Sequence, residues 1–293
     1  MINQIAAKKG KKRPVKIRPV KSQKGIEADY RKELNRLAKA LEIEIRQNVM
    51  PLLKNRKEEY TSDGVVDDVI RALSAAKAKF ASIAMRYLPV ASRFVNRVSQ
   101  NNQKRIASGA ENAVGVNMEH VLQTPELNGL LEAETQKNIA LIKSIPDEFF
   151  KDIEVTIMNG ITEGKRWETI AKEIAGTKGI TSTFGKLKNR VKLIARNEAS
   201  NINATLNKRR QEALGIELYE WSGSLDERER KNHRAMESKI CKWSDPTVYA
   251  DSIEAATTGK WKKRSSIGGV ELHPGHDYNC RCAAIGVINP EEA

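Results

Sequence analysis

Apolar residues recur at three- and four-residue steps along most of this chain, and that spacing leaves packed helices as the main solution. Ile26, Tyr30, Leu34, Leu37, Leu41 and Ile45 form one such stripe, which lies on a single face of a helix. Met50-Pro51 is expected to kink or end it, because proline lacks the backbone donor. Thr61-Ser62-Asp63 offers a cap for the next helix, whose apolar positions include Val66, Ile70, Leu73, Phe80, Ile83 and Tyr87. Pro89 interrupts that pattern, and Phe94, Val95 and Val98 resume it. Residues 27–108 thus read as long helices in a hairpin, with an exposed Asn- and Gln-rich stretch near 100–104.

The middle third continues in helices. One ends at Ile145-Pro146. Asp147 caps the next, which carries Phe149, Phe150, Ile153, Val155, Ile157 and Met158 and stops near Gly160. A short helix follows from Trp167 to Gly176, then a Gly/Thr/Ser-rich loop over 176–185. A long helix then reaches Leu214, with Gly215 as its stop. After Gly215 the period changes. Ile216, Leu218, Tyr219 and Trp221 alternate with polar residues, a strand signal, and Gly268-Gly269 suggests a hairpin turn before Val270 and Leu272. Aromatic content is only 5% against 40% apolar residues, so aliphatic side chains and alanine supply most of the core. The fold class expected is mainly α, long helices with a small α+β C-terminal domain.

The formal net charge is +14. Lys8, Lys9, Lys11, Lys12, Arg13, Lys16, Arg18, Lys21 and Lys24 lie in residues 1–25 without one acid, and removing these nine leaves +5. With Pro14 and Pro19 breaking any helix, 1–25 reads as a disordered basic arm. Lys8, Lys9, Lys11, Lys12, Arg13, Lys16 and Arg18 would contact double-stranded DNA by neutralising phosphates. The plainer alternative is a solubilising or assembly arm. The longest apolar runs fall far short of the roughly 20 residues of a membrane span, and the N-terminal charge is followed by no apolar signal segment.

Three of the four histidines and all three cysteines lie between Trp221 and Cys282. His233, His276, Cys280 and Cys282 could hold a structural zinc, with Cys241 as an alternative ligand. Reduced cysteines beside a hydrogen-bonded histidine, or a disulfide formed in an oxidising medium, are the other readings. Asp226, Glu227, Glu237, His233, His273 and His276 could also be assembled into a metal-dependent nuclease, but no H-E-x-x-H, P-loop or G-x-S-x-G motif accompanies them. Asp226 with Arg228 and Arg230 reads more simply as a salt-bridged turn. Arg196 and Glu198 read as a polar stripe that orients packed elements. At least two of Trp221, Trp243 and Trp261 read as core, against a stacking surface for single strands.

Several segments follow one another in a recognisable order. They are Gln136–Pro146, Gly164–Lys172, Ile194-Ala-Arg-Asn-Glu198 and Leu214–Trp221, then the D-x-R-x-R-x-x-H run at Asp226–His233 and the H-x-x-x-C-R-C run ending at Cys282. This order resembles the phage Mu F-like minor head protein family, over roughly residues 120–285. The family usually has Thr where Asn197 stands and Gly where Ser238 stands. The resemblance implies a non-enzymatic structural component of a tailed phage or prophage, made in the bacterial host cytoplasm. It would sit in the virion, in the capsid interior near the portal, in few copies per particle or as an oligomer. Portal protein and major capsid protein are the implied partners, with a role in capsid assembly and in DNA packaging or ejection. The rivals are the metal nuclease and a DNA-binding protein acting through its basic arm. The expected partition is 1–25 arm, 26–119 N-terminal helical region, 120–215 helical part of the Mu F-like domain and 216–293 Cys/His-containing module.

Overall fold

The computed structural model describes residues 1–54, 63–176 and 182–292. Helices dominate, as the spacing predicts. In chain order they begin with α1 (Ile2–Lys8), then strand β1 (Val15–Lys16), α2 (Lys24–Glu44), a π-helical turn (Ile45–Val49) and α3 (Met50–Lys54). There follow α4 (Asp63–Met85), α5 (Leu88–Val114), α6 (Pro125–Thr162), α7 (Trp167–Ala175) and α8 (Thr183–Ala213). The remainder is β2 (Leu218–Ser222), α9 (Lys231–Arg234), β3 (Ile240–Lys242), β4 (Asp245–Ala250), α10 (Ile253–Thr257), β5 (Lys262–Lys263) and β6 (Ala283–Ile288).

Two compact units are present, and neither is continuous in sequence. One holds Met1–Glu27, Val95–Glu134 and Asn197–Ala293; the other holds Ala28–Phe94 and Thr135–Arg196. The helical unit is built on the stripes read above. Tyr30 stacks on Phe94 with centroids 3.9 Å apart and its hydroxyl donates to Asn138 Oδ1 at 3.0 Å. Phe80, Phe149, Phe150 and Phe184 form the aromatic centre. Ile70, Val155 and Met158, counted as stripe members, point to solvent. Thr61 and Ser62 of the expected cap, and residues 177–181 of the expected loop, lie outside the described residues.

Proline acts differently at three sites. Pro51 follows the π-helical turn, and Pro89 sits in the first turn of α5, where a missing donor costs nothing. Pro146 does not end its helix: α6 runs through it. Ile142, Ile145, Phe149 and Phe150 are buried on either side, so packing outweighs the local defect of about 3 kcal/mol. Gly160 is likewise inside α6, where a Cβ would meet the Ile170 side chain of α7 at 2.5 Å.

The other unit carries a six-stranded antiparallel sheet in the order β1-β6-β2-β3-β4-β5. Its alternation is clear in β2. Tyr219 and Trp221 enter the core with Met236, Cys241, Trp243, Cys280 and Cys282, whereas Leu218 joins Ile240, Ala250 and Val287 on the other face. Two tryptophans are therefore core, and Trp261 packs at the edge under the Lys242 ammonium, 5.0 Å from its ring centroid. No hairpin strand forms at Val270–Leu272. Gly268 closes a 3-10 turn, and the Val270 and Leu272 carbonyls accept from Arg264 instead of a ladder.

The first 25 residues are not a disordered arm. Val15 pairs with Ile288 and Lys16 with Val287, making β1 the edge strand beside β6. Ile2 N–H donates to the Leu214 carbonyl at 3.0 Å, and Asn3 Oδ1 accepts from Asn289 N–H at 3.1 Å. Ile2, Ala6, Ile17 and Val20 are buried against Ile106, Ala110, Leu214, Ile216 and Ile288. The charges hid this, because the apolar residues are few and widely spaced. The Asn/Gln stretch near 100–104 is also corrected. Asn102 is fully buried and donates to Asn203 Oδ1 at 3.0 Å and Asn207 Oδ1 at 2.6 Å, and both of those amides donate to the Val20 carbonyl at 2.8 Å.

Ile17→Ala should therefore destabilise this unit by about 3 kcal/mol, the usual cost of emptying a buried aliphatic site. Urea unfolding monitored by Trp221 and Trp243 fluorescence measures it, and an unchanged midpoint would return 1–25 to a loose arm.

Candidate metal centre in the C-terminal module

The loop from His273 to Cys282 has almost no secondary structure, so its shape is imposed by α8. Gly275 has φ +88°, and a Cβ there would meet Ala204 Cβ at 2.5 Å. Only glycine allows this approach. The Ser200 hydroxyl donates to the Cys280 carbonyl at 2.7 Å, and Asn197 Oδ1 accepts from the Asn279 N–H at 2.9 Å. Asn279 is left-handed at φ +55°, a conformation asparagine tolerates. The turn delivers both sulfurs inward: Cys280 is 4% exposed and Cys282 8%.

His233 reaches them from α9. Its Nδ1 lies 3.4 Å from Cys282 Sγ and 3.5 Å from Cys280 Sγ. On the far side of the ring, Nε2 lies 2.9 Å from Asp277 Oδ2, and Arg230 pairs with the same carboxylate. The Trp221 ring meets the imidazole edge-on at 5.9 Å. Cys280 Sγ also accepts backbone N–H groups from Gly275 at 3.3 Å and Cys282 at 3.4 Å. Burial alone lowers the His233 pKa, but the Cys280 sulfur and Asp277 carboxylate outweigh it and hold the imidazole above its ordinary value. Hydrogen bonds from Cys282, then from His233 and the backbone, favour the Cys280 thiolate against its burial. Cys282, beside that thiolate and buried, is pushed the other way.

Of the residues expected to share a site, His233, Cys280 and Cys282 come together, with one donor atom of each within 4.8 Å of the others. His276 is not in that group. Its Nε2 faces Thr205 Oγ1 at 3.4 Å, while Nδ1 is buried with no hydrogen-bond partner among the described residues. Cys241 is buried elsewhere in the same core, 3.7 Å from the Lys239 carbonyl, and burial pushes its pKa up to about 11. The nuclease set is not assembled. The cysteine–histidine trio is the one potential metal-binding group of three or more His, Cys, Asp or Glu among the described residues. Glu237 accepts from Gly223 N–H at 2.5 Å, and His273 lies against Tyr219.

The acidic turn is tied differently from the expected pairing. Asp226 pairs through both oxygens with Arg281, which holds its carboxyl near a pKa of about 2. Arg228 contributes only its backbone N–H, at 3.1 Å, and Arg230 goes to Asp277. Glu198 is buried in α8 and Arg196 is half-buried. Ser238 has φ +60°, which accounts physically for glycine at the corresponding family position.

Two contributors gave no signal in the sequence. Arg264 is fully buried, and its guanidinium donates to the carbonyls of Val248 (3.0 Å), Val270 (3.2 Å) and Leu272 (2.8 Å) and to Tyr219 Oη (2.9 Å). Glu229 receives the Ser224 and Leu225 N–H groups at 3.1 and 2.9 Å and lies 3.7 Å from Cys282 Sγ. Asp277 was at least placed suggestively, inside the Cys/His run.

Residues 151–285 match the family described as Phage Mu protein F like protein. That segment contains α7, α8 and every residue of the trio, and it bears out the resemblance carried by the motifs. The chain is also 28% identical over 290 residues to an uncharacterized protein of Haemophilus influenzae, covering 97% of this chain and 58% of that one. It is 27% identical over 153 residues to the minor head protein GP7 of Bacillus phage SPP1, covering 49% of this chain and 42% of that one. The chain thus spans about half the length of the curated relatives it matches. No solved structure matches.

The C-terminal module should be acid-sensitive through His273. Burial first, then Lys208, His276 and Arg264, depress its pKa to about 3. The unfolded imidazole takes a proton near pH 6.5 while the folded one stays neutral. Its contribution is therefore complete above about pH 6.5 and declines as pH falls toward the folded value, by up to about 1.4 kcal/mol per pH unit. Denaturant midpoints measured from pH 7 to pH 4.5 should fall on this slope, and His273→Gln should flatten it.

Proposed function

We propose that the chain is a structural minor head protein of a tailed phage or prophage, acting at the portal in capsid assembly and in DNA packaging or ejection. The similarity to the minor head protein of Bacillus phage SPP1, together with the match of residues 151–285 to the Phage Mu protein F like family, carries this reading. Helices and a small sheet supply surfaces for portal and major capsid protein. No described helix is long and apolar enough to cross a membrane. The test is particle composition: the chain should co-purify with virions from an induced host and be detected by mass spectrometry in few copies per particle. Its absence from DNA-filled particles would reject the proposal.

The DNA contact belongs to the same reading. Lys8, Lys9, Lys11, Lys12, Arg13, Lys16 and Arg18 are all exposed, on a segment anchored by Ile2 on one side and Ile17 on the other. Lys16 is engaged with Glu220; Lys8, Lys9, Lys11, Lys12 and Arg13 run from the last residue of α1 through the loop before β1, and Arg18 lies beyond that strand. Each phosphate neutralised contributes about 0.9 to the log–log salt slope. Changing Lys8, Lys9, Lys11, Lys12 and Arg13 to Gln should reduce the slope for duplex DNA by up to about 4.5, as read by fluorescence anisotropy from low to moderate salt. An unchanged slope would remove the loop from DNA contact.

A further inference from the structure

We propose that His233 Nδ1, Cys280 Sγ and Cys282 Sγ bind one zinc ion, which clamps the α9 segment to the terminal loop. Zinc binding here does not depend on a virion role.

The distances fit before any ion is added. With Zn–N near 2.1 Å and Zn–S near 2.3 Å, a tetrahedral centre places nitrogen and sulfur ~3.6 Å apart. The two observed separations are 3.4 and 3.5 Å. One nitrogen faces two sulfurs, and a single imidazole proton cannot serve both as a linear hydrogen bond. A cation at their centre satisfies all three. The surroundings are those of a ligand set. Asp277 holds the other ring nitrogen at 2.9 Å, the carboxylate–histidine arrangement that fixes the tautomer for metal binding. Two backbone N–H groups point at Cys280 Sγ, at 3.3 and 3.4 Å, and stabilise a bound thiolate. Glu229 Oε1 lies 3.7 Å from Cys282 Sγ but outside the converging trio, so water would fill the fourth position. Binding displaces two protons to solvent, the thiol proton of Cys282 and the one shared between Cys280 Sγ and His233 Nδ1.

A carboxylate, an imidazole and a sulfur in a row also describe a nucleophile with its base and orienter. Burial argues against that use: both sulfurs lie beneath the surface, with Trp221 and Met236 in the same core, and a substrate carbonyl cannot reach them. Imidazole with two thiolates favours zinc over the hard cations.

The full chain, expressed with zinc and purified without chelator, should contain about one zinc per chain by elemental analysis. Cobalt exchange should give the intense visible bands of a tetrahedral site and a thiolate charge-transfer band in the near ultraviolet. Cys280→Ser and Cys282→Ser should each lose the metal, whereas Cys241→Ser, at a neighbouring buried cysteine, should retain it. Should the serine variants fail to fold by circular dichroism, the cobalt spectrum of the unaltered chain still decides, because charge-transfer intensity reports the number of thiolate ligands. Absence of zinc and of cobalt bands would overturn the proposal. So would thiols that appear only after reduction, which would mean a Cys280–Cys282 disulfide, or metal retained in a folded Cys280→Ser, Cys282→Ser double variant.

Discussion

Helix α8 holds a loop that cannot hold itself. Between His273 and Cys282 the backbone depends on three contacts with that helix: Gly275 against Ala204, the Cys280 carbonyl on Ser200, and the Asn279 N–H on Asn197. These occupy successive turns of one helical face. Because they fix the loop's position, both cysteines arrive beside His233, Arg281 arrives beside Asp226, and β6 begins in register with β2. A bulkier residue at Gly275 would lift the loop from α8 and disturb all of these together, although none involves that residue's own side chain.

Buried cations solve a related problem elsewhere in the unit. Arg264 and Arg210 are enclosed, and their guanidiniums donate to carbonyls, hydroxyls and a side-chain amide, with the Cys241 thiol also beside Arg264. Burial lowers the Arg210 pKa to about 10, still far above neutrality, so the charge persists. An isolated buried charge is costly. Here neutral dipoles from separate segments converge to offset that cost, and the convergence specifies which segments must meet. Arg210 on α8 engages Ser99 and Asn102 on α5, and through the asparagines this reaches Val20. Arg264 draws β4 and the 270–272 segment toward Tyr219.

What the sequence made legible follows from the range of the forces involved. Stripes such as Leu34, Leu37 and Leu41 are local, and they mark helices correctly. Gly215 stops α8 because its φ is +78°, and β2 shows its alternation plainly. Pro146 misled because a local penalty was outweighed by packing of Phe149 and Phe150, which no spacing reveals. Asn102 misled for the opposite reason: a polar residue reads as exposed until its partners, about 100 positions away, are known. The cysteines and His233 could be nominated from chemistry, since few other roles gather them. Choosing His233 over His276 needed the third dimension, as did recognising that Asn197 and Ser200 support the turn.

The N-terminal segment shows how charge can mask a fold. A stretch with nine cations and no acid satisfies the compositional test for disorder, yet four apolar side chains and one edge strand secure it. The chain's two ends meet there, β1 on β6 and Asn3 on Asn289. This alters the physics of the proposed phosphate contact. A mobile arm must lose conformational freedom when it binds, at about 1–2 kcal/mol for each backbone residue ordered. A loop already braced between α1 and β1 has met that cost in folding. Its lysines need only lose side-chain freedom, so counterion release would appear more fully as affinity. The same bracing couples the two ends energetically: whatever loosens β6, including loss of the turn that precedes it, also loosens the basic loop.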